Sequence, residues 1–167
     1  MQSRLLKCVY RERAAISLFD ALNSNSQGPS DPLTFPQATI AEVSQTLARF
    51  RSIAVNDYGV PLSQFSVFAT EAMRRAANTG SMLDAIAKAA PGVSVQILAP
   101  EVETLFGAMG ARSGFTTVRG LFLDLGGGSV QMTFMDSASN MDPSYNLHPS
   151  YEIAAAQAGE SLPFGAA

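Results

Sequence analysis

The sequence has little of what disulfide, zinc or membrane chemistry requires. Its 167 residues include one cysteine, one histidine and no tryptophan. With Cys8 alone, an internal disulfide is excluded, and a reducing, cytoplasmic compartment is the default expectation. His148 has no cysteine nearby, so a zinc centre is not expected. No apolar run approaches about 18 residues, which argues against a membrane span. Met1-Gln2-Ser3-Arg4 is not followed by the apolar stretch of a secretory signal. Basic charge is not in excess either. Lys and Arg number 11 against 14 Asp and Glu, giving a net charge of −3 and a pI near 5.0. No global positive field attracts nucleic acid or anionic lipid, so a polyanion would have to be held by local cations or metal ions.

The residues that are present describe a folded domain. The chain is 47% hydrophobic and 15% charged, a balance that supports a packed core and argues against disorder. The length allows one domain or two small lobes.

Taken in order, the pattern is α/β. Leu5 to Tyr10 reads as an opening strand, broken by Arg11-Glu12-Arg13, with Ala14 to Phe19 as its extension. Asn23 to Pro36, rich in Asn, Ser, Gly and Pro, is a loop. Pro36 suits the first turn of a helix. Ile40, Val43, Leu47, Phe50, Ile53 and Tyr58 then recur at spacings of three to five, which predicts an amphipathic helix of about five or six turns. Gly59 is the expected residue just beyond its end. Gln64 to Ala69 is a strand, and Thr70 to Arg75 turns directly into a helix that breaks near Asn78-Thr79-Gly80. Ser81 with Asp84 suggests the cap of the next helix, running to about Ala90. Val93 to Leu98 is a strand, and Pro100 opens a helix to about Ala111. A hairpin follows. Asp136 to Pro149 is a polar loop, and Tyr151 to Ala154 forms a further short strand. Strands alternating with helices predict crossover connections and an α/β fold.

The hairpin carries the strongest local signal. Leu121-Phe122-Leu123-Asp124-Leu125 leads into Gly126-Gly127-Gly128-Ser129, and Val130-Gln131-Met132-Thr133-Phe134 leaves it. Three successive glycines cost backbone entropy and supply no packing. One use for them is a concave set of amides around an anion, with Asp124 placed to hold a metal on phosphate oxygens. An ordinary glycine-rich turn is the competing reading, since such short patterns recur by chance. No Gly-Lys-Ser/Thr follows, which excludes a Walker loop. A strand rather than a helix follows, which fits a Rossmann turn poorly.

Three segments in one order resemble the exopolyphosphatase/guanosine pentaphosphate phosphatase (Ppx/GppA) family. Ala69-Thr70-Glu71-Ala72-Met73-Arg74, followed by Asn78, is similar to its Ala-Thr-x-Ala-x-Arg…Asn segment. Asp124-Leu125-Gly126-Gly127-Gly128-Ser129 resembles its second phosphate loop. Ser161-Leu162-Pro163-Phe164-Gly165-Ala166 resembles the stretch with which its second lobe approaches the site. Tyr10 to Leu18 and Leu105 to Ala111 look most like the fungal branch, which includes regulators of mitochondria-to-nucleus (retrograde) signalling.

The resemblance implies an actin-like (ribonuclease H-like) ATPase fold with two lobes. Residues 1–113 would be an incomplete lobe one, 114–118 a linker, and 119–167 the start of lobe two. It implies Glu103 as the catalytic residue that positions or deprotonates the attacking water, with Glu101 as the competitor. Two apart on a helix, they point in different directions, so at most one can serve. Without the resemblance, both read as first-turn glutamates favoured by the helix dipole. Arg74 falls on the family's phosphate-contacting arginine, against the alternative of a solvated helix-face residue such as Arg75. Gly126, Gly127, Gly128 and Ser129 would bind phosphate, and Asp124 would serve Mg²⁺. His148 is expected to be solvated and Cys8 packed.

The implied chemistry is hydrolysis of a terminal phosphate from polyphosphate or a guanosine pentaphosphate, without a covalent intermediate. A second class stays open: a non-catalytic sensor that binds nucleotide or phosphate and protein signalling partners. Neither involves nucleic acid or membrane. The family's first phosphate loop, Asp-x-Gly-Ser-Asn-Ser, has no counterpart before Leu5. The chain is therefore expected to be truncated at both ends relative to the family, and inactive by itself.

Overall fold

The structure is a computed structural model, and it describes residues 7–24, 28, 30–115, 118–136 and 159–162. The chain divides into two compact units, one of Arg13–Ile97 and one of Met1–Glu12 with Leu98–Ala166.

In the first unit, helix α1 spans Leu18–Ser24 and α2 spans Gln37–Ser52. A π-helical turn, Ile53–Asp57, continues α2 without a break, so the predicted long amphipathic helix is present. Pro36 stands one residue before its first turn, as the cap. Gly59 follows the helical end with φ of +66°, the left-handed conformation expected of a residue that terminates a helix.

Beyond a single 3-10 turn at Leu62–Gln64 come strand β1 (Val67–Ala69), α3 (Glu71–Arg75), α4 (Thr79–Ala89) and β2 (Val95–Ile97). The two strands pair in parallel, Phe68 opposite Gln96, with α3 and α4 in the connection between them. This is the predicted crossover, built on shorter strands. The core comprises Leu22, Phe35, Ile40, Met73, Ala76, Met82, Ile86, Ala90 and Val93. Phe35 is locked to Asn78 from both sides. Its N–H donates to the Asn78 side-chain oxygen, and its carbonyl accepts from the Asn78 amide, each at 2.9 Å.

Four local readings are corrected. Residues 7–10 have no regular secondary structure, because a strand needs a ladder partner and none lies beside them among the described residues; Leu5 and Leu6 fall outside that set. Cys8 is exposed rather than packed, its thiol donating to the Tyr10 carbonyl at 3.2 Å. Leu18 and Phe19 begin α1 instead of prolonging a strand. The cap of α4 is Asn78, not Ser81. The strand expected at Tyr151 to Ala154, and His148, lie outside the described residues.

In the second unit, α5 spans Pro100–Ser113, with Pro100 opening the helix as predicted. Strands β3 (Arg119–Leu125) and β4 (Val130–Asp136) form the expected antiparallel hairpin, and β5 (Glu160–Leu162) adds to β4. No helix among the described residues is long and apolar enough to cross a membrane.

Candidate functional site

The turn of the hairpin is shaped by its own backbone. The Gly126 N–H donates to the Ser129 carbonyl at 2.9 Å. A Cβ on Gly126 would stand 3.2 Å from that same oxygen, so a side chain would press against the closure. Strand pairing then fixes which residues share a face. Asp124 pairs with Gln131, which on its other side pairs with Ser161. Because side chains alternate along each strand, Phe122, Asp124, Gln131, Thr133 and Ser161 lie on one face. Leu121, Leu123, Leu125, Val130, Met132, Phe134 and Leu162 lie on the other.

Helix α5 packs on the face that carries Asp124. A Cβ on Gly107 would stand 3.0 Å from the Phe122 ring and 3.2 Å from Asp124 Oδ2. The bare backbone of Gly107 is thus what lets the helix come this close to the hairpin. Thr104 and Ala108 are buried on the same helix, and the Thr104 hydroxyl donates to the Pro100 carbonyl at 2.9 Å. Small residues line the seam, so helix and sheet approach closely.

This packing separates the two candidate glutamates. Glu103 is four residues before Gly107, and residues four apart stack on one face of a helix. Glu103 is half-buried, whereas Glu101 is exposed. The second unit therefore places Glu103 on the side of α5 that meets Asp124.

Arg74 belongs to the first unit. Its guanidinium bonds the Glu71 carboxylate of the same helix at 2.8 Å. The Arg74 side chain is 17% exposed against 38% for Arg75. It is therefore held against the fold, while its neighbour is the solvated one.

Asp124 is the carboxylate nearest the glycine turn in the chain. Among the described residues no group of three or more His, Cys, Asp or Glu is placed to hold a metal ion. The chemistry of a single carboxylate such as Asp124 fits Mg²⁺ carried on phosphate oxygens, which needs only one or two protein carboxylates.

Two participants were not apparent from residue types alone. Gln131 is 1% exposed, and its Nε2 donates to Ser129 Oγ at 2.7 Å and lies 3.4 Å from Ser161 Oγ. Gly107 is the other. The signal for Gln131 was available as register: a four-residue connection from Gly126 to Ser129 puts it opposite Asp124.

Comparison with known proteins identifies the family. The model of the Ppx/GppA phosphatase family matches residues 1–166. Retrograde regulation protein 2 of Saccharomyces cerevisiae is 37% identical over 136 residues, which cover 81% of this chain and 22% of that protein. An exopolyphosphatase from Cytophaga hutchinsonii superimposes with a TM-score of 0.57 at 20% identity, over 86% of this chain and 40% of that one. A Ppx/GppA family member from Aquifex aeolicus gives 0.57 at 22% identity, over 79% of this chain and 37% of that one. The chain spans about a fifth of the curated relative and about two fifths of these structures. The expected actin-like α/β fold is the fold of these neighbours, and the chain carries part of it. Because the family model matches nearly the whole chain, the chain belongs to the Ppx/GppA phosphatase family.

Proposed function

We propose that this chain is the phosphate-binding part of a phosphohydrolase that removes the terminal phosphate of polyphosphate or a guanosine pentaphosphate, in a reducing, cytoplasmic compartment. The observation that carries this reading is the close packing of α5 on the hairpin, with Gly107 against Asp124 and Glu103 one turn away on the same side. In this reading residues up to about 113 belong to lobe one, 114–118 link the lobes, and the hairpin opens lobe two.

The Gly126 amide shapes the turn, and Gly127, Gly128 and the Ser129 hydroxyl supply donors to phosphate oxygens. Such fixed donors stabilise charge as it builds in the transition state. Glu103 accepts a proton from water as its oxygen bonds to the terminal phosphorus in line with the bridging oxygen. The P–O bond to that bridging oxygen breaks, and the shortened chain leaves with the electron pair. Arg74 offers a planar fork to a phosphate oxygen. Mg²⁺, held by Asp124 and the phosphates, would neutralise charge on the transferred group.

This chain is expected to be inactive by itself, so the test is phosphate release from tripolyphosphate, with Mg²⁺, by the protein completed with the family's first phosphate loop and the rest of lobe two. Glu103→Gln is expected to lower kcat about 10²- to 10⁴-fold, and Glu101→Gln to change it by less than about twofold, as for an exposed side chain away from the site. Unchanged release in Glu103→Gln would remove this residue as the base.

A second reading is supported by the 37% identity to a retrograde regulation protein. There the same turn binds nucleotide or phosphate without turnover and gates a protein partner. Binding without phosphate release, together with partner recovery that is lost in Asp124→Ala, would favour it.

A further inference from the structure

The long helix of the first unit changes character at one residue. α2 ends at Ser52, and the π-helical turn Ile53–Asp57 begins at the next position. A π turn is rare and, where one occurs, often marks a functional site. Here it is the last turn before Gly59, whose φ of +66° ends the helix. Opening it therefore costs less than opening a helix interior.

The side chains at this junction suit a reaction at the serine oxygen. Ser52 is exposed, and its Oγ accepts from Asn56 Nδ2 at 3.0 Å. An amide NH₂ only donates, so the serine keeps its own proton to give up. Arg49, three residues earlier, is also exposed, and residues three apart share a helix face. Arg51 adds a cation beside Ser52, but its Nε is buried. In the whole sequence no other serine or threonine has a lysine or arginine three positions before it. A guanidinium at a fixed distance from a hydroxyl is a charge pattern that an enzyme with matching carboxylates can read.

We propose that Ser52 is a phosphorylation site, recognised through Arg49 by an arginine-directed protein kinase that uses ATP. The Ser52 oxygen bonds to the γ-phosphorus, the bond from that phosphorus to the β–γ bridging oxygen breaks, and ADP leaves with the electron pair. The serine proton passes to the carboxylate base of the kinase. The product carries a charge of about −1.5 to −2 at neutral pH. It stands near the C-terminal end of the helix, where negative charge is unfavourable, and Asp57 ends the same turn. An exposed pair with Arg49 offsets only part of this. The modification therefore loosens Ile53–Asp57. None of these residues belongs to the proposed catalytic site, so the two readings stand or fall separately.

The experiment incubates the folded full chain with Mg-ATP and the catalytic domain of a calmodulin-dependent protein kinase, a class that selects arginine three residues before its target. Phosphate is located by tandem mass spectrometry, and a synthetic peptide of residues 44–59 runs in parallel. Ser52 should take up phosphate in both. Ser52→Ala should reduce uptake at this position to background. Arg49→Ala should slow it about tenfold, the effect of one hydrogen bond to a charged group. The N–H groups of Tyr58 and Val60 close the turn on the Ile53 and Ala54 carbonyls. Their exchange should become roughly two- to fivefold faster in the phosphorylated chain.

Phosphate on the peptide but not on the folded chain would mean that the helix hides the serine, and phosphate on neither that the arginine is not read. Either result overturns the proposal, as does an unchanged rate in Arg49→Ala. If Ser52 takes up phosphate and amide exchange does not change, the site stands and only the loosening of the turn is lost.

Discussion

The two units bury opposite kinds of residue. The Arg13–Ile97 unit encloses Leu22, Phe35, Ile40, Met73, Met82, Ile86 and their neighbours, an apolar core of the ordinary kind. Among the described residues, the other unit buries Thr104, Ser129, Gln131 and Thr133 beside only Leu98 and Ala108, while Leu121, Leu123, Leu125 and Phe134 are exposed. Apolar burial stabilises without direction, whereas buried polar groups stabilise only if each finds its partner. One unit is therefore organised for stability. The other commits its interior to a hydrogen-bonded row that leads to the glycine turn, and this is where the chemistry is proposed.

The sharpest way to break this contrast is to cut the same amount of side chain from each unit. Met82→Ala, at a side chain with 0% exposure, is expected to cost about 2–5 kcal/mol in urea unfolding. Leu123→Ala, at 59% exposure, should cost less than about 0.5 kcal/mol. Comparable losses would mean that the leucine face is covered in solution.

Next in size is the long-range side-chain bridge from Asn78 to Phe35 in the apolar unit. Asn78→Ala leaves both backbone groups of the buried Phe35 unpaired and is expected to cost roughly 1–3 kcal/mol. Its amide exchange near Phe35 should rise in step. A neutral result would show that water replaces the side chain there.

The smallest effect probes the seam of the polar unit. Gly110→Ala meets nothing within 4 Å and should gain up to about 1 kcal/mol from helix propensity. Gly107→Ala has the same propensity gain, but Phe122 and Asp124 stand in the way, so its net change should be near zero or unfavourable. Equal gains in thermal unfolding would disprove the close approach of α5 to the hairpin.

Much of this was legible beforehand. The long helix ending at Gly59, the helix opened by Pro100 and the hairpin were all written in local periodicity and in Pro and Gly punctuation. Residues 7–10, read as part of a strand, were not, because apolar character makes a strand only where a ladder partner exists. Asn78 carried a cap signal that the Ser81 pattern obscured, and its larger role, holding Phe35 across 43 positions of sequence, is invisible to any local window. For the candidate site, residue types pointed to Asp124, the glycines and Ser129. They left Glu101 and Glu103 open, since only the face that α5 turns to the hairpin distinguishes them.

The β4 strand marks the division most clearly. Its alternation of Val130, Met132 and Phe134 with Gln131 and Thr133 determined, by itself, that two faces exist and which residues share each one. A period of two carries no information about which face is covered. Packing decided that: α5, made slender at Gly107 and Ala108, lies on the polar side, so Gln131 and Thr133 are buried and Phe134 is exposed.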